Sequence, residues 1–423
     1  MGNGNTRSQE QSGQLDKEEL VRFTSLLAVK RGNLGYLPQV VNTLFLERAK
    51  YKKLMKAEVF GSPTYKLYNM RQLAYKILMN ALYGQTAFPG SRLYDARIAE
   101  TVTWMGRQVI TWSQHFMQDL GFEVIYMDTD SLHWVLGCDL NIHYIEILNE
   151  CLNISYDKFA EQYGLKKHIF HMEFEKIYRK VFYGSKKKRY AGWICYKDGQ
   201  NTETRDVFGF EIRRSDAAQF SKKLQERIFD MLLKENKSKD EIMRYVRDEI
   251  HRIRTGNFKF VEIGMPKGMT KDPMDYFKGK YNSELKAWQQ KGLSANIRGV
   301  LYSLKELNLD LTSKPKMLYV SKLPAQFPPT DAICFDKDGD IPAGTELNIE
   351  VMLDKLVKNK LQPIFEALGW SMKELSYHWK GKAPDAGEQL GMLIESDMSA
   401  KKVPLFEISE LLTTENLSGD LPF

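Results

Sequence analysis

Apolar residues recur at helical spacing in two stretches of the first hundred residues. From Leu37 to Lys56 (LPQVVNTLFLERAKYKKLMK) the pattern predicts an amphipathic helix, strongly basic on one side, with Arg48 and Lys52 four residues apart. From Met70 to Gly84 (MRQLAYKILMNALYG) a second helix is expected, with Leu73, Ile77, Leu78, Ala81 and Leu82 as its apolar stripe and Gly84 as its end. Its other face carries Lys76, Asn80 and Tyr83 at i, i+4 and i+7, aligned along about two turns. The pair should run from about 37 to 57 and 64 to 84, joined by a short loop at Gly61-Ser62-Pro63. The spacing then turns β-like: Val124 to Leu136 is apolar and β-branched around Tyr126-Met127-Asp128-Thr129-Asp130-Ser131, which predicts a hairpin. Val181-Phe182-Tyr183 and Trp193-Ile194-Cys195-Tyr196 read as two more strands. Further helical patterns span Asp216 to Asn236 and Ile349 to Leu368, and no internal repeat is evident.

The hairpin places two carboxylates one residue apart. Asp-x-Asp at a tight turn can point both side chains one way and offer hard oxygen ligands to Mg²⁺, which keeps its other sites for water and phosphate. Asp and Thr are also ordinary turn residues, so the motif alone is equally a plain hairpin turn. Arg48 and Lys52 suit an anion of several groups, since Arg offers a planar fork of donors and Lys a point charge; a salt-laced surface helix is the bland alternative. Lys76, Asn80 and Tyr83 on their own equally describe a solvated face. Lys186-Lys187-Lys188-Arg189 runs straight into Tyr190 and Trp193, which suits a strand pair lying on a phosphate backbone, with a localisation signal or an exposed hairpin as alternatives.

Composition narrows the choice. A chain of 423 residues has room for two or three subdomains, and 43% hydrophobic residues suffice for packed cores. No apolar run approaches the roughly 18 residues that span a bilayer, and no secretory h-region opens the chain, so no membrane role and a cytoplasmic location are expected. The net charge of +7 is modest, but cations cluster at 48–56, 176–189 and 213–224, which favours a polyanionic partner. Cys138, Cys151, Cys195 and Cys334 form no CxxC pair, so a reducing compartment without structural zinc or an iron–sulfur cluster is expected. Residues 1–15 are rich in Gly, Asn, Gln and Ser and should be disordered, and the composition after Trp379 suggests a flexible tether.

Taken in order, these segments resemble the C-terminal half of a family B DNA polymerase. KILMNALYG is similar to the family's fingers motif K-x3-N-S-x-Y-G, YMDTDS to its palm motif Y-G-D-T-D-S, and KKRYAGW to its K-K-R-Y primer-template motif. Ser91 to Asp95 and Thr101 to Ile110 resemble the connecting helix. Phe208 to Arg214 resembles the entry to the thumb, and Asn296 to Leu301 and Pro342 to Glu346 resemble thumb segments of tailed-phage replicative members. The resemblance covers roughly residues 35 to 372. Met127 stands where the family usually has Gly, narrowing the space beside the primer terminus, and Ala81 where it usually has Ser. Nothing from Met1 to Leu37 resembles the D-x-x-S-L-Y-P motif that carries a further palm carboxylate, nor the proofreading exonuclease.

The resemblance implies an α+β fold: an antiparallel palm sheet with helices, two-helix fingers and a mainly helical thumb, without N-terminal or exonuclease domains. Expected boundaries are a disordered tail at 1–18, an entry segment at 19–36, fingers at 37–84, palm at 85–213, thumb at 214–372 and a flexible tail at 373–423. It implies the C-terminal subunit of a split DNA-directed DNA polymerase, using two Mg²⁺ ions (or Mn²⁺) for nucleotidyl transfer, in the cytoplasm of a virus-infected bacterial host. Asp128, Asp130 and, less centrally, Glu175 would hold metal, with Asp128, Asp130 and Lys76 catalytic. Arg48, Lys52, Lys76, Asn80 and Tyr83 would bind the dNTP. Lys186, Lys187, Lys188, Arg189, Tyr190, Arg213 and Arg214 would follow primer-template DNA. A partner subunit would bring the exonuclease domain and the remaining carboxylate. The ending Asp420-Leu421-Pro422-Phe423 resembles peptides that dock on a sliding clamp or belong to single-stranded-DNA-binding proteins. A DNA-binding accessory subunit without turnover is the alternative.

Overall fold

Two short strands, β1 (Leu20–Arg22) and β2 (Ala28–Lys30), pair antiparallel ahead of two long helices, α1 (Tyr36–Lys56) and α2 (Pro63–Ala87). The computed structural model describes residues 20–22, 28–30, 35–59, 61–137, 141–165, 167–272, 275, 293–375 and 392–395, and it divides into two units between Phe174 and Glu175. The expected palm, 85–213, runs across that division. Cys138 and the terminal peptide Asp420 to Phe423 lie outside the described residues.

Ser62 starts α2 by accepting a hydrogen bond from the Tyr65 N–H at 3.0 Å, with Pro63 fitting the first helical position. Gly84, expected from sequence to end the helix, does not; α2 continues to Ala87 and stops at Phe88, ahead of Pro89. One interior glycine costs only about 1 kcal/mol, whereas the residue before proline is driven out of the helical region. α1 buries no residue and α2 only Gln72 and Thr86. The predicted apolar stripe is therefore largely open, with Leu73, Ile77 and Leu78 exposed. What joins the two helices is aromatic: Tyr51 of α1 stacks on Tyr75, tilts against Tyr68, and takes a hydrogen bond from Arg71 at 3.0 Å.

The core of this first unit lies further on. Helix α3 (Ala96–Asp119), capped by Asp95, packs with α4 (Ile142–Gln162), capped by Asn141, through Phe116, Met117, Leu148, Leu152 and Tyr156. The hairpin β3 (Val124–Asp128) and β4 (Ser131–Trp134) rests on it through Val124, Leu132 and Trp134.

The second unit carries β5 (Lys176–Tyr183), β6 (Tyr190–Lys197) and β7 (Gln200–Phe208) as an antiparallel meander. Asp198 and Gly199, both at positive φ (51° and 82°), join β6 to β7, and an Asp-Gly pair is the favoured sequence for such a turn. Helices α5 (Gln219–Leu233) and α6 (Lys239–Arg254) bury Phe220, Leu224, Ile228, Val246 and Ile250 in the main core. The short α7 (Phe260–Ile263) and β8 (Met265–Pro266) precede α8 (Ala295–Lys305), whose Gly299 lets it lie on β10 (Ala332–Phe335). A Cβ at Gly299 would stand 3.2 Å from both Cys334 Sγ and the Ile333 carbonyl carbon. β10 pairs with β9 (Lys316–Lys322), beside β11 (Glu346–Leu347). The last helical stretch is α9 (Ile349–Leu353), a widened π turn over Asp354–Lys358, and α10 (Asn359–Ala367). Ser221 Oγ of α5 donates to the Leu356 carbonyl at 2.8 Å, so the irregular turn keeps a buried partner. All sheets among the described residues are antiparallel, and the class is α+β.

One expectation is corrected here. The tail from 373 is not featureless: Met392–Glu395 forms β12, antiparallel to β5 with Met392 opposite Tyr183 and Glu395 opposite Lys180. An edge strand offers unsatisfied N–H and C=O groups, and the apolar run Met-Leu-Ile is suited to take them.

Candidate functional site

The Asp-Thr-Asp turn is built by strand register. Asp128 faces Ser131, Met127 faces Leu132 and Tyr126 faces His133, but Val124 faces Trp134, so Ile125 is an extra residue and the strand bulges. The bulge lets Val124 join Leu132 and Trp134 on the core side while Tyr126, Asp128, Ser131 and His133 share the other side. Met127 belongs to the opposite face from Asp128, so the residue standing for the usual glycine does not crowd the carboxylate from its own side. Thr129 takes a left-handed φ of 61°, and the Asp130 N–H donates to the Asp128 carbonyl at 2.7 Å, which closes the turn in two residues. Asp128 is half-buried and accepts from Thr129 Oγ1 at 3.1 Å; Asp130 is exposed.

Two carboxylates from one turn fit Mg²⁺, which is commonly held by one or two carboxylates together with waters and substrate phosphates. Among the described residues no group of three or more His, Cys, Asp or Glu side chains gathers into a metal cluster. Glu175, the third carboxylate suggested by sequence, makes an ion pair with Lys176 at 3.3 Å.

Arg48 and Lys52 lie one turn apart on α1. Arg48 is half-buried, and its Nε is shielded from solvent without a hydrogen-bond partner among the described residues. Lys52 is engaged: its Nζ donates to both oxygens of Glu173, at 2.8 and 2.5 Å. That contact holds the Glu173 carboxyl below its usual range, against the opposing effect of partial burial. Lys76, Asn80 and Tyr83 are all exposed on α2.

In the second unit, Lys186, Lys187 and Lys188 are exposed in the tight turn between β5 and β6, with Arg189 half-buried. Lys188 is left-handed at φ 61°, and the Gly184 N–H closes the turn on the Arg189 carbonyl at 2.8 Å. Gly209 passes underneath, where a Cβ would stand 2.3 Å from the Lys188 carbonyl oxygen. Tyr190, read from sequence with the DNA-contacting run, is 9% exposed and stacks on Phe208 at 4.6 Å, so it anchors the turn from within. Arg213 and Arg214 are held by carboxylates: Arg213 by Asp206 at 2.8 Å and over the Phe208 ring, Arg214 by Asp216 at 2.9 Å.

Three functional neighbours escaped the sequence reading. Asp206 is buried on β7 and accepts from Lys176 at 2.7 Å, Tyr178 at 2.9 Å and Arg213. Burial opposes its charge, but the hydrogen bonds of Lys176 and Tyr178 and the charges of Lys176 and Arg213 win, and its pKa lies below the usual value. Burial and the Asp206 charge push the Tyr178 phenol up. The contact of Glu173 with Lys52 and the close approach of Gly209 to the basic turn both depend on residues distant along the chain.

Residues 4–294 match the family model for DNA polymerase family B. DNA polymerase 2 of Aeropyrum pernix is 33% identical over 242 residues, which is 57% of this chain and 27% of that protein. The DNA polymerase of Archaeoglobus fulgidus is 30% identical over 268 residues, 63% of this chain and 31% of the relative. The DNA polymerase alpha catalytic subunit of Xenopus laevis is 26% identical over 249 residues, 57% and 16%. This chain thus spans less than a third of the length of these relatives. The family B DNA polymerase of Pyrobaculum calidifontis has a similar fold, with a TM-score of 0.50 over 84% of this chain and 40% of that one at 22% identity. No described helix is long and apolar enough to cross a membrane. Because the family match runs through more than half of the sequence and into both units, the chain belongs to DNA polymerase family B.

Proposed function

We propose that this chain carries the nucleotidyl-transfer site of a DNA-directed DNA polymerase built from two subunits, with residues 37–84 as fingers, 85–213 as palm and 214–372 as thumb. The observation that supports the reading is the two-residue turn that brings Asp128 and Asp130 into one tight bend at the end of a hairpin seated on a packed core. In the reaction a primer 3′-hydroxyl attacks the α-phosphate of a dNTP in line; the O3′–P bond forms, the hydroxyl proton passes to solvent, the bond to the bridging oxygen breaks, and pyrophosphate leaves. Bound Mg²⁺ would supply charge for the attacking and leaving oxygens. Asp128 and Asp130 would hold the metal. Arg48, Lys52 and Lys76 receive the triphosphate, and Asn80 and Tyr83 shape the space beside it. Lys186, Lys187, Lys188 and Arg189 follow the duplex backbone, a role blind to sequence because phosphates carry no base information.

The second subunit is supported by the exposed apolar side chains on α1, α2 and α3. Phe45, Leu46, Leu73, Ile77 and Leu78 are exposed on α1 and α2, which bury little of their own surface, and Val102 is exposed on the first half of α3. Exposed apolar side chains of this kind suit cover by another polypeptide. The test is primer extension with the purified chain, alone and with the polymerase subunit that carries exonuclease and D-x-x-S-L-Y-P segments. Mg²⁺-dependent extension is expected only from the mixture, and Asp130→Ala should lower it about 100-fold or more while primer-template binding persists. Robust extension by this chain alone would reject the two-subunit reading; unchanged extension by the Asp130 variant would reject the site.

A further inference from the structure

Glu173 has no place in the site as drawn so far, yet it occupies one of the cations of that site. Its neighbour Met172 is strapped to α4 twice: the Met172 N–H donates to Asn153 Oδ1 at 2.8 Å, and Asn153 Nδ2 donates to the Met172 carbonyl at 3.0 Å. The Met172 side chain also packs against the core of the first unit. Glu173 is thereby attached to the best-packed part of this unit, whereas α1, which carries Lys52, buries nothing. One turn before Lys52, the shielded Arg48 Nε has no partner among the described residues. Along one helix face, then, one cation is satisfied by a carboxylate and a neighbouring donor is not.

We propose that Glu173 is a specificity-determining residue of the nucleotide site: it stands in for a phosphate on Lys52 when no nucleotide is bound, and a triphosphate enters by displacing it. The proposal rests on the reading of α1 as the triphosphate-binding helix. The exchange is chemically undemanding, because an ammonium is a point charge with rotatable donors and accepts a phosphate oxygen as readily as a carboxylate oxygen. A polyphosphate brings several negative charges against one, and the Arg48 guanidinium lies one helical turn away for its other oxygens. The carboxylate therefore acts as a threshold that weaker anions, with a single charge and no second contact, do not cross.

The experiment is equilibrium dialysis of dATP with excess Mg²⁺ against the full-length chain and its Glu173→Gln, Lys52→Ala and doubly substituted forms. Removing the competing charge should tighten dATP binding about 1.5- to 5-fold, the range for a largely exposed ion pair. Lys52→Ala should weaken binding, and the double variant should match Lys52→Ala, since without the lysine there is nothing for Glu173 to hold. Equal affinity of the wild-type and Glu173→Gln chains, including no detectable binding by either, overturns the proposal, as does weaker binding by Glu173→Gln. If Lys52→Ala leaves affinity unchanged, the failure belongs to the triphosphate reading of α1 itself.

Discussion

Replacing Gly209 by alanine should cost the second unit far more than a methyl group normally does. Two costs add. The backbone at φ +71° lies in the left-handed region, which an L-residue enters at about 1–2 kcal/mol. The new Cβ would then stand 2.3 Å from the Lys188 carbonyl oxygen, 2.7 Å from Arg189 Cγ and 3.2 Å from Arg189 Cα. That is roughly 1 Å short of ordinary contact with a backbone atom, so the Lys186–Arg189 turn must move, at about 1–3 kcal/mol. The sum is about 2–5 kcal/mol. Gly199 supplies the control, because its φ of +82° is equally left-handed but nothing lies within 4 Å of its Cβ position. Gly199→Ala should therefore lose only the backbone part, about 1–2 kcal/mol. Urea midpoints of the three chains, followed by circular dichroism, separate the two contributions. A Gly209 variant no less stable than the Gly199 variant would refute the claim that the basic turn rests on that glycine. Because the turn must shift, Gly209→Ala should also weaken duplex DNA binding, and Gly199→Ala should not.

Asp206→Asn should destabilise the chain by about 1–3 kcal/mol at neutral pH, the worth of hydrogen bonds to a charged group. The wild-type carboxyl has a lowered pKa, so its contribution is complete above the unfolded-state value near 3.9 and fades as pH falls through the folded-state value. The gap between the two chains should close below about pH 4, and urea midpoints that keep a constant gap from pH 7 to pH 3 would contradict it. Lys187→Ala should weaken duplex binding alike for all sequences and reduce the slope of log affinity against log salt by about 0.9, as read by anisotropy titrations; an effect confined to one sequence would exclude a backbone contact. Tyr51→Ala should loosen the α1–α2 pair, which lacks an aliphatic core, and speed amide hydrogen exchange in both helices at least about tenfold; unchanged exchange would show that another contact joins them.

The helices and the hairpin were legible because their signals are local. Arg48 to Lys52 and Lys76 to Tyr83 fall on helices wherever those helices pack, and the Asp-Thr-Asp sequence turns wherever two strands flank it. Burial was less legible. The stripe Leu73, Ile77, Leu78 has helical periodicity, which says that a face is apolar and not what covers it. Tyr190 belongs to a basic motif by sequence but to the sheet interior by position, since it opens β6, an inner strand whose first five residues are all buried. The partners Glu173–Lys52, 121 residues apart, and Asp206–Lys176, 30 apart, are set by tertiary packing, and no pattern within a helix or strand announces them. β12 was hidden for a different reason: a four-residue strand has too few positions for periodicity to show, and its existence depends on the free edge of β5.

The extra residue in β3 has a consequence for how this part of the chain can vary in length. In a regular strand Val124 and Asp128, four residues apart, would lie on one face, because side chains alternate. The extra residue takes up one step, so Val124 pairs with Trp134 on the core side while Asp128 pairs with Ser131 on the other. Loss of Ile125 would leave the same pairs on a straightened strand, with the carboxylate still on its own side. Gain of one residue would need a second irregularity, or it would send the carboxylate toward Trp134. The segment should therefore tolerate shortening at Ile125 better than lengthening by one.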